Sequence, residues 1–289
     1  MLVKPQQLFR EALAGKFAIG AFNTSNLEIT QAIVAAAEAQ RAPVIVQTSE
    51  GAIKYAGLPV ITGIITAVAN AASVPVVLHL DHGKSAETAR RCIDAGYTSV
   101  MIDASALPLQ ENIRLTAEVV QYAHEQGVWV EAELGAILGA EGAKKLSGKH
   151  TPDDFLTNPG QAQEFVEKTG VDALAVSVGT IHGAFTGQEY VRFELLQELE
   201  RLLPAMPLVV HGASGLAART LKQVAASHVC KINIDTEVRI AVEQAIKGYF
   251  SAAHEMTDYR DIFGAAREAA QRVVAEKIAT FGAAGRAKV

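Results

Sequence analysis

Three histidines stand at or just after the ends of apolar, β-branched runs, each followed by a glycine: His82-Gly83, His182-Gly183 and His211-Gly212. Three imidazoles with a vacant fourth position make the usual catalytic zinc site. An adjoining glycine lets the backbone bend and the ring turn inward. His79, His124, His150, His228 and His254 lack that joint placement and read as hydrogen-bonded structural residues. Asp103 and Glu133 close two further runs. They suit a second cation, the orientation of a ligand histidine, or ordinary hydrogen bonding. Asp81 adjoins His82. A carboxylate beside a metal is a natural proton carrier, with coordination and structural bonding as its other uses. Gly212-Ala213-Ser214-Gly215 offers approachable N–H groups and a hydroxyl, and Asn233-Ile234-Asp235-Thr236 adds donors opposite. Together these suit a phosphate cradle.

Such residues form one site only if the chain brings the ends of the runs to a common rim. Eight runs recur, at residues 18–23, 43–49, 75–82, 99–105, 129–135, 173–179, 207–214 and 229–236. Most are nearly continuously hydrophobic, as in Val44-Ile45-Val46 and Leu208-Val209-Val210, the pattern of strands covered on both faces. Helical spacing fills the gaps. Ile29, Ile33 and Ala36/Ala37 share one face after the first run, with Asn26 as N-cap. Residues 86–95 and 160–168 read the same way. Eight alternating units over roughly 250 residues fit an α/β fold of the (β/α)8 TIM-barrel type. We expect it to span residues 1–289 as one domain, with extra C-terminal helices at 239–250 and 265–281. An open doubly wound sheet would show a glycine-rich turn after the first strand, where this chain has Asn23-Thr24-Ser25-Asn26. In a barrel the C-terminal strand ends build the site, and the polar residues above fall there. Residues 136–148, rich in glycine and lysine and carrying Glu141, show no periodicity. A long loop of this kind is a functional lid or a disordered insertion.

Composition narrows the partners. Lys plus Arg number 26 against 31 Asp plus Glu, a net charge of −5 over 289 residues. Nothing there grips nucleic-acid backbones irrespective of sequence. With 49% apolar and 20% charged residues, the chain can build a buried core. No apolar stretch approaches the ~20 residues of a membrane helix. Met1-Leu2-Val3-Lys4-Pro5 lacks a signal-peptide core, and Cys92 and Cys230 make no disulfide framework. The expected location is the cytoplasm, with both thiols reduced.

The chain resembles the class II, metal-dependent fructose-bisphosphate aldolases, a family that includes tagatose-bisphosphate aldolases. The likeness runs through Ala21-Phe22-Asn23, Ser49-Glu50-Gly51-Ala52, His79-Leu80-Asp81-His82-Gly83, Val130-Glu131-Ala132-Glu133-Leu134-Gly135, Gly179-Thr180-Ile181-His182-Gly183, His211-Gly212-Ala213-Ser214 and Lys231-Ile232-Asn233-Ile234-Asp235-Thr236. It implies reversible cleavage of a ketohexose 1,6-bisphosphate to dihydroxyacetone phosphate and glyceraldehyde 3-phosphate. It implies catalytic Zn2+ on His82, His182 and His211, and a second or relocated metal at Asp103 and Glu133. Asp81 matches the proton donor to the C4 oxygen, and Glu141 matches a loop glutamate that moves the carbon-bound proton. Gly183, Gly212, Ala213, Ser214, Asn233, Ile234, Asp235 and Thr236 match the dihydroxyacetone-phosphate cradle. Asn23 joins the substrate-binding set, Ser49 matches a contact to the aldehyde half, and Arg260 aligns with an arginine that clamps the distal phosphate. A monovalent cation (Na+ or K+) near the phosphate and a homodimer or homotetramer are also implied.

Three departures stand out: Ala106-Leu107 where fructose enzymes often carry histidines, Gly142 where an acid tends to follow the loop glutamate, and Asp258-Tyr259-Arg260-Asp261-Ile262 in place of Asp-Pro-Arg-Lys-Tyr. Asp235, where tagatose enzymes tend to have a small residue, favours fructose over the tagatose alternative. Rival classes are a Schiff-base aldolase, a zinc hydrolase and a non-catalytic sugar-phosphate sensor. The first needs a deprotonated buried lysine, and Lys231, the only strand lysine, lies early in the eighth strand.

Overall fold

The eight apolar runs form strands that close on themselves. In the computed structural model, which describes residues 1–139, 152–182, 190–252 and 258–287, these are β1 (Ile19–Asn23), β2 (Val44–Ser49), β3 (Val76–Gly83), β4 (Ser99–Ile102), β5 (Trp129–Leu134), β6 (Ala173–Val176), β7 (Leu208–Val210) and β8 (Val229–Ile234). Each pairs in parallel with its neighbours in sequence, and β1 pairs with β8 through Ile19 opposite Lys231 and Ala21 opposite Asn233 to shut the cylinder. This is the (β/α)8 barrel. Several strands are shorter than their apolar runs: β4 stops at Ile102, β6 at Val176 and β7 at Val210. Beyond those points the chain leaves the sheet, with positive φ at Gly179 (106°) and Gly212 (62°). The polar ends of the runs therefore sit on the mouth rather than in the ladder.

Helices cover the outside. They are α1 (Gln6–Gly15), α2 (Leu27–Gln40), α3 (Glu50–Ala56), α4 (Leu58–Ala71), α5 (Ala86–Asp94), α6 (Leu109–Glu125), α7 (Pro159–Thr169), α8 (Phe193–Leu202), α9 (Ala218–Ala225), α10 (Thr236–Ser251) and α11 (Tyr259–Thr280). The expected Asn26 cap is present, its Oδ1 accepting from the Ile29 N–H at 3.1 Å. α1 covers the end opposite the mouth, where Phe9 meets Trp129, the first residue of β5, edge to face at 4.6 Å. The C-terminal pair α10 and α11 pack on each other, and α11 packs on α2. The Lys277–Glu237 ion pair, 2.6 Å, ties the two together. The sequence periodicity did not separate α3 from α4, which bend 98° apart at Gly57 (φ 84°). Nor did it show the short parallel pair Leu138–Gly139 with Ile181–His182, which joins the loops after β5 and β6. Among the described residues no single helix is long and apolar enough to cross a membrane.

Inside the cylinder, side chains alternate with a period of two. Met101, Ala173, Ala175 and Val209 fill one sector with a small apolar cluster. The other sectors carry buried polar pairs two residues apart: His79 and Asp81, Glu131 and Glu133, Lys231 and Asn233. The register of β3 against β4 shifts between Leu80 and Gly83, an irregularity of the kind that re-aims side chains next to active sites. His82 sits in that shift with φ 49°. The strained conformation thus belongs to the histidine itself. Gly83 is needed for a different reason, because a Cβ there would lie 2.7 Å from the Met101 carbonyl oxygen. Gly83→Ala is expected to lower stability by about 1–3 kcal/mol, read as an earlier urea midpoint with unchanged m-value. A midpoint equal to the parent's would contradict this account of the β3–β4 contact.

Candidate active site

His82 and His211 meet at the mouth. His82 lies at the end of β3 and His211 follows β7, and the His82 Nε2 and His211 Nδ1 atoms lie 2.9 Å apart. Each ring spends its other nitrogen on a carboxylate. His82 Nδ1 bonds Asp103 Oδ2 at 2.9 Å, and His211 Nε2 bonds Glu131 Oε1 at 2.7 Å. Asp81 Oδ1 stands 4.0 Å from both facing nitrogens. Asp81 is itself held by two amides, Asn23 Nδ2 donating to Oδ2 at 2.8 Å and Asn233 Nδ2 donating to Oδ1 at 3.1 Å. Gln47 Nε2 in turn donates to Asn23 Oδ1 at 2.7 Å.

Burial makes every charge here depend on its neighbours. Desolvation alone would lower the His82 pKa, but Asp81, the Asp103 hydrogen bond and Glu133 raise it to about 10 in the metal-free protein. Burial would lift Asp81, yet His82, His211, Lys231 and Asn23 hold it below the usual carboxylate range. Asp103 is lowered too, because its bonds to His82 and Ser105 outweigh its burial. Glu133 goes the other way, pushed up to about 8 by burial and then by Asp103. Its Oε1 accepts from the Ile137 N–H at 3.2 Å, while its Oε2 has no hydrogen-bond partner among the described residues and lies 3.8 Å from His82 Nδ1.

These donors suit a divalent ion. Asp81, His82 and His211 form one group of converging ligand atoms, and His82, Asp103 and Glu133 form another. Zinc–histidine bonds are ~2.0–2.1 Å, so two imidazole nitrogens 2.9 Å apart lie within reach of one centre. His182 is brought to the same rim by the Ile181–His182 strand, and its side chain lies outside the described residues. Glu141 and Gly183 lie outside them as well.

The rest of the expected site divides. Asn23, Ser49, His82 and Asp235 line a cavity of about 1390 Å³ at the mouth. Ser49 also caps α3, accepting from the Ala52 N–H at 3.3 Å. Gly212, Ala213 and Ser214 follow His211 on the turn after β7. Asn233 and Ile234 end β8, Asp235 stands at the N-cap position of α10, and Thr236 opens that helix. Arg260 stands in the first turn of α11, largely exposed, with its guanidinium on Asp258. Sequence reasoning left Gln47, Glu131 and Lys231 without a role in the site. Each lies two residues before a residue assigned to it, and that same-face spacing was the available signal.

A closed parallel barrel with buried nitrogen and carboxylate donors at its mouth defines a metal-dependent barrel enzyme class, and comparison with known proteins agrees. The family model described as "Fructose-bisphosphate aldolase class-II" matches residues 3–286. The protein named fructose-bisphosphate aldolase of Geobacillus stearothermophilus is 40% identical over 289 residues, covering 99% of both chains. That of Thermus caldophilus is 40% identical, covering 99% of this chain and 100% of its own. The crystal structure of the YdjI aldolase from Escherichia coli K12 superposes with a TM-score of 0.88 at 34% identity, covering 100% of both chains. The chain belongs to the class II fructose-bisphosphate aldolase family, which consists of metal-dependent carbon–carbon lyases.

The raised His82 pKa has two measurable consequences. A folded-state pKa of about 10 against ~6.5 unfolded means the protonated ring stabilises the metal-free fold fully below pH ~6.5. That contribution is lost as pH climbs through about 10. His82→Asn is therefore expected to flatten the alkaline limb of the metal-free stability curve. A ligand imidazole must also give up its proton, so metal uptake at pH 7 is expected to release about one proton from His82. Calorimetry in buffers of different ionisation enthalpy reads this, and uptake with no proton released contradicts the assignment.

Proposed function

We propose that this chain is a zinc-dependent aldolase that reversibly cleaves fructose 1,6-bisphosphate to dihydroxyacetone phosphate and glyceraldehyde 3-phosphate. The observation that carries the reading is Asp81, oriented by hydrogen bonds from Asn23 and Asn233 and set 4.0 Å from two converging imidazole nitrogens. His82, His182 and His211 hold the ion. A divalent ion held there supplies Lewis-acid stabilisation of the negative charge that builds on the ketone half when the carbon–carbon bond breaks.

The chain's own groups do the rest. In cleavage Asp81 takes the proton of the C4 hydroxyl, and in condensation it returns it. Its two amide donors fix the carboxylate plane, and the neighbouring His82, His211 and Lys231 charges, with the Asn23 bond, hold it below the usual carboxylate range against its burial. Asp103 orients His82 through the 2.9 Å bond to Nδ1, and Glu133, with one oxygen unpaired, offers with it a second metal position. Asn233 Oδ1 is likewise buried without a partner among the described residues, an acceptor suited to a substrate hydroxyl. Gly183, Gly212, Ala213, Ser214, Asn233, Ile234, Asp235 and Thr236 form the phosphate cradle, with a monovalent cation (Na+ or K+) beside it. Anchoring the phosphate orients the reacting carbon. Ser49 contacts the aldehyde half, and Glu141 moves the proton at C1 of dihydroxyacetone phosphate. The protein works as a cytoplasmic homodimer or homotetramer. The naming of its 40%-identical relatives supports fructose over tagatose.

A coupled assay with both bisphosphates tests this. Fructose 1,6-bisphosphate should turn over faster, chelation should abolish activity, and Zn2+ should restore it. Asp81→Asn should lower kcat by about 10²–10⁴-fold. Activity surviving chelation, or borohydride trapping at Lys231, would exclude this mechanism. Glu141→Gln should suppress proton exchange at C1 of dihydroxyacetone phosphate while leaving metal content at the parental level, and parental exchange rates would remove Glu141 from the reaction.

A further inference from the structure

One layer beneath the mouth lies a lysine with no exposed surface. Lys231, on β8, is fully buried, and its Nζ lies 2.9 Å from Glu131 Oε2 and 3.2 Å from Oε1. Glu131, on β5, is buried as well, and neither residue lines the mouth cavity. A buried ion pair alone is weak grounds for a role, since well-packed apolar residues often replace one without loss of stability. The third member distinguishes this pair. Glu131 Oε1 accepts from His211 Nε2 at 2.7 Å, shorter than its contact to the lysine.

A carboxylate oxygen only accepts, so the 2.7 Å contact to Glu131 places a proton on His211 Nε2. Nδ1 is then the nitrogen left to face the mouth, 2.9 Å from His82 Nε2. Asn233 Nδ2, 3.1 Å from Nδ1 and 3.5 Å from Nε2, lies over the face of the ring.

We propose that Glu131, anchored by Lys231, is a positioning residue that holds the Nε2 proton of His211 and so presents Nδ1 to the metal. This rests on reading His211 as a metal ligand. Lys231 neutralises the carboxylate and fixes its plane, so that Glu131 orients the ligand without becoming one.

The test is Zn2+ affinity, measured by competition with a chromophoric chelator. The double variant Glu131→Leu/Lys231→Met removes both charges and the acceptor. It should bind Zn2+ about 10–100-fold more weakly while the metal-free unfolding midpoint stays near the parent's. Glu131→Gln/Lys231→Met restores a neutral acceptor and should regain most of that loss. Parental affinity in both doubles overturns the proposal. His211→Ala run alongside separates the two layers of argument. If it holds Zn2+ as tightly as the parent, the ligand assignment fails and this proposal falls with it. If His211→Ala loses metal while the doubles do not, only the role of Glu131 fails. Should the leucine variant not fold, 15N-histidine spectra of the Zn2+-loaded parent decide the matter, with the His211 signals assigned from His211→Asn. An Nε2-protonated His211 is expected, and an Nδ1-protonated ring overturns the proposal.

Discussion

An imidazole has two nitrogens, and the mouth of this barrel depends on which one the protein consumes. His82 spends Nδ1 on Asp103, and His211 spends Nε2 on Glu131. The two nitrogens left over face each other at 2.9 Å. A ring with both nitrogens tied to carboxylates offers no lone pair to a metal, and a ring with neither tied rotates and interchanges tautomers. One carboxylate per ring avoids both outcomes and fixes the ring plane.

Those carboxylates could not be buried together without further balance. Asp81, Asp103, Glu131 and Glu133 occupy one end of a narrow cylinder, facing His82, His211 and Lys231. The balance is local rather than overall. Asp81 and Asp103 are held ionised by neighbouring cationic and amide groups, whereas Glu133, short of such partners, is pushed up to about 8. Lys231 serves Glu131 from below. Backbone strain enters at one point, the left-handed His82, in the β3–β4 register shift that turns its ring toward the partner strand. Strain of this kind persists where surrounding contacts over-determine it. Here the Asp103 bond and the tight Gly83–Met101 approach do so.

Much of the fold was legible because burial on both faces writes a continuous apolar run for each strand. Val44–Ser49 and Trp129–Leu134 fall within a residue of the runs that announced them, and Asn26 caps α2 as its side chain required. The runs overshot at β4, β6 and β7 because composition does not mark where a ladder loses its last partner. The glycines beside the histidines were legible as necessary, but the reason differed at His82, where the histidine itself takes the left-handed conformation and Gly83 permits close approach. The short Leu138–Gly139 and Ile181–His182 pair was invisible because two residues carry no periodicity.

By itself the sequence determined the strand order, the helices between them and the residue types gathered at the C-terminal rim, since these follow from local periodicity and from closure of alternating units. Only the tertiary structure decided which groups touch. Asn233 reaches Asp81 across 152 residues, and His211 reaches Glu131 across 80. It also set the Arg260 guanidinium on Asp258 at the start of α11. The stagger between neighbouring strands sets how high each side chain stands in the barrel. That height decides whether a polar residue lies in the open mouth or one layer down, supporting its neighbour two residues on.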